Sequence, residues 1–302
     1  MKKILLPLIL MAFLVACTED PAEDVTKDDQ EQNDDTNDDN TDDDTDDSDD
    51  DTSDDGDCHI ETIVIEWDTD DKSTTTFEYD ADGNIVKITD LEEWVEDGVA
   101  QSDTDVVTGE YEDGKLVSAE ESEDGQVYET YEIIYDGDKI VKYIEEETED
   151  GSIDEYRFTY EGDQVVRVEN WDNYSGDTQG EFVLYSFDEF TYTNGNITSI
   201  VGEDVLEENG ESYSVDITYD GKKNPLKGNL LWMLWEGDIT DYISTNNALT
   251  YDEEYTYDGE TEQWNTTITY EYNDAELPTK ITYSDSEGDT WSYDLGYTCD
   301  ED

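Results

Sequence analysis

Basic residues are scarce in this sequence. Its 302 residues carry 14 Lys and Arg against 89 Asp and Glu, a formal net charge of -75. A nucleic-acid binder needs a basic surface to release counterions from phosphates, so that class is excluded. Side-chain contact with anionic lipid headgroups is disfavoured for the same reason. There is one histidine, which excludes chemistry that needs two. No Gly-rich phosphate loop precedes a helix, and neither a nucleophile-elbow sequence nor a metalloprotease helix is present. No stretch shows a long helical period.

What is present begins with an address. Met1–Cys17 reads MKKILLPLILMAFLVAC, with Lys2 and Lys3 ahead of an apolar run from Ile4 to Val15. A run of about 12 residues suits a signal peptide and falls short of the roughly 20 that span a bilayer as a helix. Leu14-Val15-Ala16-Cys17 resembles a bacterial lipobox. The resemblance implies cleavage before Cys17 and lipidation of that cysteine. The alternative is an ordinary secretory signal in which Cys17 is incidental.

Residues 18–57 form an acidic linker: 22 of the 40 are Asp or Glu, and Lys27 is the one base. So few apolar side chains cannot offset the entropy of ordering the chain, so this segment is expected to be disordered and extended by its own repulsion. The plain reading is a solvated spacer; runs such as Asp42-Asp43-Asp44 also suggest weak calcium accumulation. Glu19 and Asp20 resemble the surface-export signals of Bacteroidota lipoproteins. Thr18 stands where Asp would favour inner-membrane retention in other Gram-negative lipoproteins. These resemblances imply a lipid anchor in the outer membrane and display on its outer face.

Residues 58–302 repeat a hairpin. One turn class reads Tyr-acid-x-Gly, as in Tyr79-Asp80-Ala81-Asp82-Gly83-Asn84-Ile85, Tyr111-Glu112-Asp113-Gly114 and Tyr135-Asp136-Gly137. A second falls between these, as in Glu96-Asp97-Gly98 and Glu123-Asp124-Gly125. Gly supplies the positive φ of a tight turn, and Asp or Asn tolerates it next best. Between turns the period is two: Tyr213, Val215, Ile217 and Tyr219 alternate with Ser214, Asp216 and Thr218. The expectation is an all-β, antiparallel up-and-down meander of roughly 16 strands, curled or barrel-like. Tyr, Phe, Ile and Val are assigned to one face, and Glu, Asp, Thr and Lys to the other. A short insertion within residues 221–250 carries the run Leu230–Trp235 and fills one end as a helix or loop.

Cys58 precedes the first strand and Cys299 follows the last. In an oxidising envelope they are expected to form a disulfide that pins the two edge strands. The alternatives are two free thiols or an intermolecular bridge. A membrane barrel is weighed against. The apolar-patterned runs span about six to eight residues where a bilayer takes roughly 9–11, and a lipid anchor would be redundant.

The Tyr-Asp-x-x-Gly-Asn-Ile unit resembles YD (RHS-type) repeats. The hairpins, together with Lys223-Asn224-Pro225-Leu226 and Ser244-Thr245-Asn246-Asn247, resemble Bacteroidota lipoproteins with a porin-like domain of unknown function. That resemblance implies fold and location and supplies no catalytic residues. High acidity suggests a saline habitat and folding that needs salt to screen self-repulsion.

Site candidates are few. His59 beside Cys58 makes a poor metal or nucleophile pair, because that cysteine is expected to be oxidised. Asp80-Ala81-Asp82-Gly83-Asn84 resembles a calcium loop faintly, and a hairpin turn explains it; calcium remains a possible aid by cross-bridging carboxylates. Trp232, Trp235, Trp171 and Trp264 are candidate ligand-stacking residues. The first function class is a non-enzymatic surface protein that binds an extracellular glycan, peptide or protein partner. The second is a glycosidase-like hydrolase with two carboxylates of separated pKa. A third is a purely structural coat.

Overall fold

The structure, a computed structural model, describes residues 58–68, 71–96, 98–173, 181–206 and 211–299. The expected signal peptide, Cys17 and the acidic linker lie outside the described residues. The first eight strands are β1 (Cys58–Asp68), β2 (Asp71–Tyr79), β3 (Ile85–Glu96), β4 (Val99–Glu112), β5 (Lys115–Glu123), β6 (Gln126–Asp136), β7 (Lys139–Glu147) and β8 (Ile153–Glu161). There follow β9 (Gln164–Asp172), β10 (Val183–Thr193), β11 (Asn196–Asp204), β12 (Glu211–Lys223), helices α1 (Leu230–Glu236) and α2 (Ile239–Ile243), and β13 (Asn246–Tyr257), β14 (Glu260–Tyr272), β15 (Pro278–Asp285) and β16 (Thr290–Cys299).

Every strand pairs antiparallel with its sequence neighbours, and β16 returns to β1. The meander is therefore a closed barrel, which removes both edges. Cys58 and Cys299 face each other in that closing register and are disulfide-bonded. The two turn classes mark the two ends. Turns after even strands, the Tyr-acid-x-Gly class, form the base; turns after odd strands form the mouth.

A bulge sets the inner face at the base. β3 pairs Tyr79 with Ile85 but Glu78 with Lys87, so Val86 is extra. Ile85 and Ile88, three apart, both point inward and are buried. All eight odd strands open with this spacing: Ile60/Ile63, Ile85/Ile88, Leu116/Ala119, Ile140/Tyr143, Val165/Val168, Ile197/Ile200, Ala248/Tyr251 and Pro278/Ile281. The even strands answer with tyrosine hydroxyls. Tyr79, Tyr111, Tyr135 and Tyr160 donate to the carbonyls of Ile60, Ile85, Leu116 and Ile140 at 2.8–2.9 Å. Tyr192, Tyr219, Tyr270 and Tyr297 donate to Val165, Ile197, Ala248 and Pro278 at 2.6–2.9 Å. The result is a belt in which each even strand is tied to the odd strand before it.

Helices α1 and α2 plug the base. Leu231 is fully buried beside Gly109, where a Cβ would meet Leu116 Cδ1 at 2.6 Å and the Leu231 methyls at 3.3 Å. The segments singled out by resemblance hold the plug in place. Asn224 Nδ2 donates to the carbonyls of Asp241 (2.8 Å) and Ser244 (3.2 Å). Asn196 Oδ1 accepts from the backbone of Thr245 and Asn246.

Two expectations need correction. The strands run from 8 to 14 residues, so length does not argue against a bilayer. Polarity does. The outer wall presents side chains such as Thr74, Thr76 and Glu78 on β2 or Thr267, Thr269 and Glu271 on β14, opposite the buried inward set. Among the described residues it lacks the outward apolar band of a membrane barrel. The second correction concerns the acids, which occupy both faces.

Candidate functional site

Above the tyrosine belt the lumen changes character. On β3, Asp90 and Glu92 follow Ile88 on the inward face; on β5, Glu121 and Glu123 follow Ala119; on β7, Glu145 follows Tyr143. Across strands these acids stand directly opposite other acids: Asp90 and Asp105, Glu121 and Glu129, Glu145 and Asp154, Asp154 and Asp172. Such like-charge pairs are destabilising. Above the belt, no described Lys or Arg occupies an inward strand position. Lys72, Lys87, Lys142, Arg157, Arg167 and Lys280 form ion pairs on the outer wall.

The inner wall has two halves. From β3 to β9 it is mainly acidic, with Tyr131, Tyr143 and Tyr156 among the carboxylates. Tyr131 Oη donates to Glu129 at 2.7 Å and to Glu121 at 3.2 Å. Thr75 Oγ1 donates to Asp90 at 2.7 Å. From β12 to β16 it is mainly aromatic. Tyr283 stacks on Trp291 at 5.3 Å, and Tyr255 lies 6.5 Å from Trp264. Between the halves, Tyr213 lies across Gly202 and donates to Asp188. The plug supplies the floor, with Glu236, Asp238 and Asp241.

Several carboxyls of the lumen are held toward their neutral form. Burial, a hydrogen bond shared with Glu129 and the charges around it hold the Glu145 carboxyl far above the usual range. Burial and Asp172 push Asp154 up to about 6. Burial pushes Glu253 up to about 7. Glu236 is also raised to about 7, by enclosure and by Asp90 and Asp238, although its residue surface is exposed. The two observations agree if Glu236 lies on the floor of a lumen that water reaches but protein surrounds.

The four tryptophans are not brought together. Trp232 is buried on α1, 5.4 Å from Phe77. Trp235 is half-buried against the core. Trp264 faces the lumen opposite Glu253. Trp171 is on the outer wall, with the Arg157 guanidinium 4.0 Å above its ring. His59 packs on Tyr79 at 4.8 Å. Asp80 accepts from the amides of Asp82 and Asn84, each at 2.9 Å, as a turn residue does.

Comparison with proteins of known structure places the fold. The barrel is similar in fold to a porin-like protein of solved structure. A porin-like protein from Bacteroides uniformis ATCC 8492 matches with a TM-score of 0.55 at 13% identity, over 80% of this chain and 96% of that one. A porin-like protein from Bacteroides vulgatus ATCC 8482 matches at 0.48, also with 13% identity, over 80% and 99%. No family model matches this chain. No curated protein matches it either.

Sequence reading missed the acidic half of the lumen. A signal was present in the apolar-x-x-apolar opening of each odd strand. Counted in twos from the second apolar residue, Asp90, Glu92, Glu121 and Glu145 fall on the inward face.

Proposed function

We propose that the protein is a non-enzymatic binding barrel, anchored through a lipid on Cys17 to the outer membrane and displayed at the cell surface. Its ligand enters the mouth and meets the acidic and aromatic walls. One observation carries the reading: recognition chemistry faces inward while the outer wall carries Thr, Ser, Glu and Lys. A barrel built to sit in lipid reverses that arrangement. The acidic linker then serves as the spacer between anchor and domain.

The test has two arms. Cys17→Ala should release the protein from the membrane fraction, and surface proteolysis of intact cells should cut the wild type. Glycan and peptide arrays probed with the detergent-solubilised full chain should give saturable binding. That binding should fall when Trp264 in the lumen is changed to Ala, and persist when Trp171 on the outer wall is. The reverse pattern rejects the lumen as the site.

A further inference from the structure

We propose that the ligand of this lumen is a basic peptide segment carrying apolar side chains, an inference that rests on the mouth being the binding site. The acidic half supplies facing carboxyl pairs, among them Glu121 with Glu129 and Glu145 with Asp154, with no inward base above the belt among the described residues. A cleft of one sign with protein walls focuses its field and concentrates the opposite charge. Lys or Arg side chains entering there favour the ionised carboxylates that the lumen alone disfavours.

A second observation separates a peptide from a bare cation. The Trp232 indole sits in the plug with 7% of its surface exposed, and its Nε1 has no hydrogen-bond partner. Trp232 and Glu236 lie one turn apart on α1, which packs against β3, β4 and β5, the strands that carry Asp90, Asp105 and Glu121. On the wall, Asn170 is inward beside Tyr156, and its Oδ1 is also buried without a partner. Buried polar atoms in native proteins are normally paired. An indole N–H needs an acceptor and an amide oxygen needs a donor. A peptide backbone offers both, whereas a polyamine offers donors alone and a neutral glycan brings no charge.

The mouth supplies a third. Large exposed apolar residues collect at its turns: Trp67, Val95, Val99, Val127, Leu206 and Tyr257. Apolar side chains gathered around one opening mark an interaction site. With the aromatic half below them, they fit the apolar residues of an amphipathic chain, and its cations reach the acids.

The test is calorimetric titration of the detergent-solubilised full chain at about 150 mM ionic strength, which screens diffuse attraction. The probes are a short alternating Lys-Leu peptide, spermidine and a neutral cello-oligosaccharide. The proposal expects one-to-one binding of the peptide, tighter than either other probe. Glu145→Gln with Asp154→Asn should weaken it about tenfold or more. Glu120→Gln with Glu132→Gln makes the same two-carboxyl replacement on the outer wall and should leave it unchanged. Trp232→Phe keeps the ring against Phe77 and should weaken binding by removing the donor. Melting curves confirm that each variant folds. Equal weakening by the two double variants, or spermidine binding as tightly as the peptide, overturns the proposal. Binding of the oligosaccharide alone, lost in the lumen variant, overturns the peptide while leaving the lumen as the site. Peptide binding that survives every lumen change and is lost with Trp171→Ala overturns both.

Discussion

Cys58 lies opposite Cys299 in the β1–β16 register, with Cα atoms 4.0 Å apart and a sequence separation of 241. The disulfide thus joins strands that are already hydrogen-bonded, and it closes the barrel where no turn can. Cys58→Ser with Cys299→Ser should lower unfolding stability by roughly 2–5 kcal/mol. Urea unfolding reads this directly. Unchanged stability would mean that the β1–β16 ladder holds without the bridge.

The tyrosine belt gives a repeated and separable test. Tyr135→Phe keeps the ring and removes a 2.9 Å bond to the Leu116 carbonyl. The expected loss is about 1 kcal/mol. Tyr111→Phe and Tyr160→Phe should cost similar amounts, because each belt bond is of the same kind. An outward substitution such as Thr159→Ala should cost far less. Equal costs at belt and outer-wall positions would show that the hydroxyls contribute nothing.

Gly202 is a close approach rather than a turn. A Cβ there would lie 2.3 Å from the Tyr213 ring and 2.6 Å from Asp188 Oδ1. Gly202→Ala should therefore destabilise by about 1–3 kcal/mol through overpacking. Adding Tyr213→Ala should recover part of that loss by emptying the space. Independent, additive costs would contradict the packing.

The pH dependence should run against the usual direction for carboxylates. Asp154 at about 6, and Glu236 and Glu253 at about 7, sit above the usual value near 4. Folded, these groups keep protons that the unfolded chain has lost. The stabilisation is full below about 4 and fades as pH rises through 6 to 7. The opposite trend comes from groups such as Glu155, where hydrogen bonds from Lys142 and Arg157 outweigh burial and lower the pKa; that stabilisation is lost in acid. The melting temperature at constant ionic strength should therefore peak near pH 5 and decline toward pH 8. A flat or rising profile from pH 5 to 8 would contradict the placement of these acids.

Much of the barrel was legible before any coordinates. The alternation of Tyr213, Val215, Ile217 and Tyr219, and the Gly-bearing turns, specified strands and hairpins, because period two and positive φ are local properties. The terminal cysteines suggested closure. The belt was not legible, because the bond from Tyr111 to Ile85 spans 26 residues and depends on the bulge at Val86 that shifts the β3 pairing by one. That same shift moves Asp90 and Glu145 to the inside. A strict two-residue period placed them in solvent. The stacking role assigned to four tryptophans drew on residue type alone, which does not distinguish Trp171 on the outer wall from Trp264 in the lumen.

The central claim is that this barrel keeps its polar wall in water and its working face inside. Outer-membrane preparations cut by protease within residues 18–57 test it most directly, by the fraction in which the 58–302 fragment is found. The account predicts a disulfide-closed fragment in the aqueous phase. A fragment that stays with the bilayer after the cut would contradict it.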